Sequence, residues 1–152
     1  MKDAFEINRQ TRKNILYYLD GLNEDSINKI PDGFGNNIAW NLGHILVSQQ
    51  LLEYGLSNLE VRIPKEWISK YRKGSKPESR VSMEEFEQIK SLFISTIDWA
   101  EKDYKAGEFS TFSPYKTSYG FALSKIEDVL SFIYAHDAFH WGVIASLKKV
   151  VL

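Results

Sequence analysis

Cysteine is absent from the 152 residues, methionine occurs twice, proline four times and histidine three times. Without cysteine there are no disulfides, thiolate metal ligands or cysteine nucleophiles, so any catalytic or metal chemistry falls to His, Asp and Glu. An excess of either charge is missing too. The 19 basic and 20 acidic residues leave a net charge of -1, which gives no steering toward nucleic acid or an anionic membrane. Small molecules or another subunit are the expected partners. No apolar run reaches the length of a membrane span, and Met1-Lys-Asp-Ala-Phe-Glu6 lacks the apolar core of a secretory signal, so the chain reads as cytosolic (cytoplasmic). Internal repeats and low-complexity runs are also lacking. Aromatic side chains are plentiful at 14 %, pointing to a heavily packed core or an apolar cleft. The length suits a single domain over residues 1–152 that needs no staples.

Apolar spacing near 3.6 recurs along the chain. Phe5, Ile15, Leu16, Leu19 and Leu22 define a first helix from Asp3 to about residue 21, where Gly21 and Asn23-Glu-Asp-Ser26 end it. Turn-formers fill Ile30 to Asn37, and either Asn36 or Asn37 can cap a second helix running from about Ile38 to Tyr54. That helix carries two apolar stripes: Ile38, Leu42, Ile45, Leu52 and Leu56 on one side, Trp40, His44, Val47 and Leu51 on the other. A helix apolar on two faces is buried on two faces, so one stripe is expected in the core and the other against something else, such as a second subunit.

Residues 57 to 81 are too long for a simple connection. Within them Pro64 to Tyr71 fits a short helix, giving an ordered cover with an aromatic side. Ser82-Met-Glu-Glu85 has the form of a capping box and opens a third helix, with Phe86, Ile89, Phe93, Ile97, Ala100 and Tyr104 at helical spacing before Gly107. Gly107 to Phe121 mixes aromatics with turn residues and reads as a second ordered loop. Ser124-Lys-Ile-Glu127 has the same capping form and opens a fourth helix to about Val150, with Ile126, Val129, Ile133, Ile144 and Leu147 facing inward. Four long amphipathic segments in series predict an all-α four-helix bundle with long connecting loops.

His136 and His140 lie on the inward face of the fourth helix, four residues apart and so on one side of it. A lone histidine on an apolar face is more often a satisfied core residue than a ligand. Here, however, the remaining histidine, His44, also occupies an apolar stripe, and none lies on the polar surface. Three neutral imidazoles can hold a divalent ion and leave a position open. Such an ion lowers the pKa of bound water toward ~7. Zinc, nickel, iron and manganese all remain open. Trp40, Tyr71, Tyr115, Tyr119 and Trp141 are candidates to line a pocket, Trp40 and Tyr119 foremost. Gly43, Gly74 and Gly142 are read as close-packing or turn positions.

The stretch Asn36-Asn-Ile-Ala-Trp40-Asn41-Leu-Gly43-His44, the loop Tyr71-Arg-Lys-Gly74-Ser-Lys-Pro77, the run Tyr115-Lys-Thr-Ser-Tyr119-Gly120 and the closing His136-Asp-Ala-Phe-His140-Trp-Gly142 together resemble the DinB superfamily, which includes YfiT-like metal-dependent hydrolases and bacterial thiol S-transferases. The resemblance covers nearly the whole chain in order. It implies a metal triad of His44, His136 and His140, a four-helix bundle, and frequent homodimerisation, which would account for the second stripe on the second helix. It further implies an enzyme activating water or a low-molecular-weight thiol. Relatives commonly have Glu after the first histidine of the pair, whereas this chain has Asp137, one methylene shorter. Asp137 is a candidate general base or a residue orienting a ligand. The alternatives are a non-catalytic metal- or small-molecule-binding stress-response protein and a bundle whose histidines are only structural.

Overall fold

The computed structural model describes residues 2–152; Met1, where the reading of a leader segment begins, lies outside the described residues. The architecture is all-α, with one short strand pair added. Helix α1 (Lys2–Tyr18) presents Phe5, Ile15 and, just past its end, Leu19 to the core. It stops short of the expected residue 21, and the chain turns through Gly21 at φ +77°, a left-handed conformation that favours glycine. The polar stretch that follows holds an unforeseen helix, α2 (Glu24–Asn28). Asn23 starts it with a reciprocal cap: its side chain accepts the Ser26 N–H, and the Ser26 hydroxyl accepts the Asn23 N–H, both at 2.9 Å.

Helix α3 (Ile38–Gln50) is capped by Asn37, whose side-chain oxygen accepts the Trp40 N–H at 2.8 Å. Beyond Gln50 it loosens into a π-helical turn over Leu51–Gly55, so the expected single helix to Tyr54 changes pitch. Nearly every α3 side chain is buried. The second stripe is accommodated within the chain: Val47 joins the core, and Trp40, His44 and Leu51 face a cavity. Helix α4 (Lys65–Tyr71), in the long connection where a short helix was expected, packs against α3 and buries Trp67 and Tyr71 there. Close approach depends on Gly43, where a Cβ would meet the Tyr71 ring at 2.5 Å. Gly74 serves a turn at φ +86°, whereas Gly142 has no close neighbour and no turn, so the packing role expected of it is not found.

Helix α5 (Met83–Ala106) begins with half of the expected capping box. The Ser82 hydroxyl accepts the Glu85 N–H at 3.2 Å, but the Glu85 carboxylate turns instead to Lys70 and the Tyr71 hydroxyl. The following loop contains an antiparallel pair, β1 (Tyr115–Lys116) with β2 (Ala122–Leu123), Tyr115 opposite Leu123. Helix α6 (Ile126–Val151) does not use the expected Ser124 box: Lys125 is the first flanking residue and caps nothing. The Asp128 carboxylate accepts the Ser124 N–H at 2.9 Å, and Glu127 accepts the Tyr104 hydroxyl at 3.0 Å. Two acids in the first turn supply the charge that a helix start favours.

Among the long helices, α1 packs against α5 and α6, and α3 packs against the same two. The connections from α1 to α3 and from α5 to α6 thus join helices that are not neighbours, which explains their length. One apolar cluster gathers α3 with Trp67, Tyr71, Phe86 and Phe93; a second joins Phe5, Tyr54, Ile97, Phe109 and Ile133. Among the described residues no helix is long and apolar enough to cross a membrane.

Candidate metal centre

The expected convergence of the three histidines is realised in space. Helix α3 carries His44 and α6 carries His136 and His140 one turn apart; all three are buried, and the ligand atoms they offer lie within 4.8 Å of one another. The His44 and His136 Nε2 atoms are 3.3 Å apart. Two donors 2.0–2.1 Å from one ion at a tetrahedral angle stand about 3.3 Å apart.

The other ring nitrogens are occupied behind the cluster. His44 Nδ1 donates to the Tyr71 carbonyl at 2.7 Å, and His140 Nδ1 donates to the Asn41 side-chain oxygen at 2.8 Å. These bonds place both protons on Nδ1 and leave Nε2 lone pairs pointing at the centre. Burial lowers the His44 pKa to about 4 and the His140 pKa to about 3, so both rings are neutral at pH 7, as ligands must be.

His136 tests whether a cation fits. Its Nδ1 is buried without a hydrogen-bond partner, 3.8 Å from Asp137 Oδ1, which is also unpartnered. A proton on His136 Nε2 would serve His44 but set a lone pair against the Asp137 carboxylate. A proton on Nδ1 suits Asp137 but leaves two Nε2 lone pairs facing each other across 3.3 Å. A cation shared by the three Nε2 atoms removes the conflict. The donor set therefore fits a divalent metal ion.

Asp137 does not reach the centre. It is fully buried behind His136, with Oδ2 paired to Arg12 Nε at 2.7 Å. Burial alone would raise its carboxyl pKa, but the Arg12 guanidinium and His136 outweigh that and hold it below the usual range. Arg12 is itself fully buried. Its Nη1 donates to Gln49 Oε1 at 2.7 Å, the Phe93 carbonyl at 2.9 Å and Thr96 Oγ1 at 3.1 Å, and the guanidinium lies over the Phe93 ring. Gln49 in turn donates to Glu53 at 2.9 Å, whose carboxyl burial pushes up to about 8. Sequence reasoning missed this network, although a signal was present. Asn8 and Arg12 complete the spacing Phe5, Asn8, Arg12, Ile15, Leu19 of the inward stripe of α1, so a charged residue in that series marks a buried, paired group.

In front of the centre lies a cavity of about 400 Å³, bordered by all three histidines. Trp40 and Tyr119, the two foremost pocket candidates, both line it, as does Tyr115. Trp40 stacks on the His44 ring at 4.6 Å between centroids and 10° between planes. Tyr119 is half exposed and packs against Phe132 and Phe139. Tyr71 and Trp141 do not border the cavity: Tyr71 lies beneath Gly43, and Trp141 packs on the α3 cluster. Leu51, Leu52 and Leu56, from the π-helical turn and its exit, supply much of the apolar wall.

Compared with known families, residues 7–144 match the sequence model of the DinB superfamily. A comparison with curated proteins finds no match.

Proposed function

The chain belongs to the DinB superfamily, and we propose that it is a divalent-metal-dependent enzyme in which His44, His136 and His140 hold one ion at the foot of the cavity. The observation that carries this reading is the tautomer conflict at 3.3 Å between His44 and His136, which a shared cation resolves. When bound, the ion supplies a Lewis acid that activates water for hydrolysis or a low-molecular-weight thiol for transfer to an electrophile. A thiol would have to be a cosubstrate, since the chain has no cysteine. The four long helices act as a bundle that presents the ligands. The Tyr71 carbonyl and Asn41 fix the orientation of His44 and His140, and Trp40 offers a flat apolar face beside them. Asp137 is a positioning residue: its carboxylate lies behind His136 and has no path to a substrate proton, so it acts through the ring.

Metal analysis of the protein purified without a His tag tests the centre. About one zinc, nickel, iron or manganese ion per chain is expected, as a three-histidine site takes. His44→Ala should weaken affinity by more than the about 10–100-fold that loss of a supporting partner costs. Metal should be released as pH falls toward about 4 and 3, where His44 and His140 take up protons in this fold. A protein that stays metal-free after incubation with zinc or nickel would sink the reading. Turnover is tested by screening the loaded protein against esters and amides, and against electrophiles with small thiols. Full metal occupancy with no turnover in either screen would favour the non-catalytic binding protein.

A further inference from the structure

The cavity has a charge asymmetry that the metal centre does not use. Its wall is formed by leucine, aromatic and small polar side chains, and among the described residues that border it none is acidic; the single cation is Lys73. Lys73 is exposed and makes no ion pair among the described residues, in contrast to Lys70, which is spent on Glu85. The segment carrying Lys73 is anchored. Arg72 N–H closes on the Ile68 carbonyl at 3.0 Å, Gly74 turns the chain at φ +86°, and Ser75 Oγ accepts the Trp40 Nε1–H at 3.0 Å. Trp40 lies flat on His44, so the backbone that places the ammonium is tied through two side chains to the metal centre. A dication held by neutral imidazoles keeps its full charge, and Lys73 adds one more of the same sign in a cavity without a counter-charge. Such a site is completed by an anion.

Resting on the metal-site reading above, we propose that the cavity takes an amphipathic carboxylate: a donor group toward the three histidines, an apolar midsection against Leu51, Leu52, Leu56 and Phe132, and a carboxylate on Lys73. A lone ammonium is a point charge that one carboxylate satisfies. The bidentate arginine fork that favours phosphate is absent from the lining. Lys73 is thus the specificity-determining residue, and the apolar wall sets the length between the two ends.

Cobalt-loaded protein tests this with 6-mercaptohexanoate and 6-mercaptohexanol, equal in length and differing in charge, each titrated by its sulfur-to-cobalt absorption band. The carboxylate should bind about fivefold more tightly in the wild type, the size of one partly exposed ion pair. Lys73→Gln should erase that preference without moving the affinity for the alcohol, and Lys73→Glu should reverse it. Added salt should shrink it. Equal affinities in the wild type, or a preference that survives Lys73→Glu, would overturn the proposal. Failure of the protein to take up cobalt is instead a failure of the metal-site reading. In that case quenching of tryptophan fluorescence by hexanoate against hexanol, in wild type and Lys73→Gln, decides the carboxylate half: preference for hexanoate lost in the variant supports it, and no preference overturns it.

Discussion

The two sides of the histidine cluster are built on opposite principles. In front, toward the cavity, three Nε2 atoms point at a common centre, the wall is apolar, and Lys73 is unpaired among the described residues. Behind, Arg12, Gln49, Thr96, Glu53 and Asp137 form a buried polar chain linked by hydrogen bonds within the protein. A front with unused valence can bind; a back whose charges are paired with one another holds the rings in place. The difference assigns chemistry to the cavity side and orientation to the Arg12 side, although Asp137 directly follows His136 on α6.

The largest effect should come from severing the back. Arg12→Met leaves Asp137 buried and uncompensated, and the expected loss is about 3–5 kcal/mol in urea unfolding. Adding Asp137→Asn should recover much of that loss, because the double variant buries no unpaired charge. If the double variant is no better than Arg12→Met alone, the pair is not the element that holds the back together. Next comes Gly43→Ala, which sets a methyl against the Tyr71 ring at 2.5 Å. Overpacking of this kind costs about 1–3 kcal/mol. Since Tyr71 also accepts the His44 Nδ1–H, metal affinity should fall with stability. Stability lost with unchanged affinity would show that the Tyr71 carbonyl is not what orients His44.

Asn41→Ala acts on the centre through one ring. It removes the acceptor of His140 Nδ1–H, and zinc affinity by competition with a chelator should drop about 10–100-fold. An unchanged affinity would mean that the ring needs no such anchor. The effects of pH run in opposite senses. Metal-free His44 and His140, lowered in the fold to about 4 and 3, contribute stability that is present above the ordinary histidine value and lost as pH falls toward those figures. Glu53, raised to about 8, contributes stability that is complete below the ordinary carboxyl value and lost as pH rises through about 8. Relative to wild type, Glu53→Gln should therefore gain stability by up to about 1.4 kcal/mol per pH unit on the way from acid to pH 8. A gap that stays constant with pH would show that Glu53 does not titrate in this range.

Periodicity alone located the four long helices, because an amphipathic stripe repeats locally and each stripe here is long. It located their starts less well. Ser82 caps α5 as its spacing predicts, whereas Ser124 does not cap α6, since one acid at Asp128 offered the Ser124 N–H a better acceptor and Glu127 was drawn to Tyr104. The helix α2 went unseen because five residues are too few to show a period; its signal was the Asn23 and Ser26 pair.

What the amino-acid order determined by itself was the donor set and its spacing on each helix: His44 on α3, His136 and His140 four apart on α6, and no cysteine to compete. Those follow from helical geometry, which is local. Only the tertiary structure decided that the three rings meet, that Asp137 pairs with Arg12 behind them, and that α4 packs on α3 at Gly43. Arg12 and Asp137 are separated by 125 positions in the chain. Their pairing follows from burial: a guanidinium and a carboxylate removed from water are each costly alone, and the packing of α1 against α6 brings them to the same place.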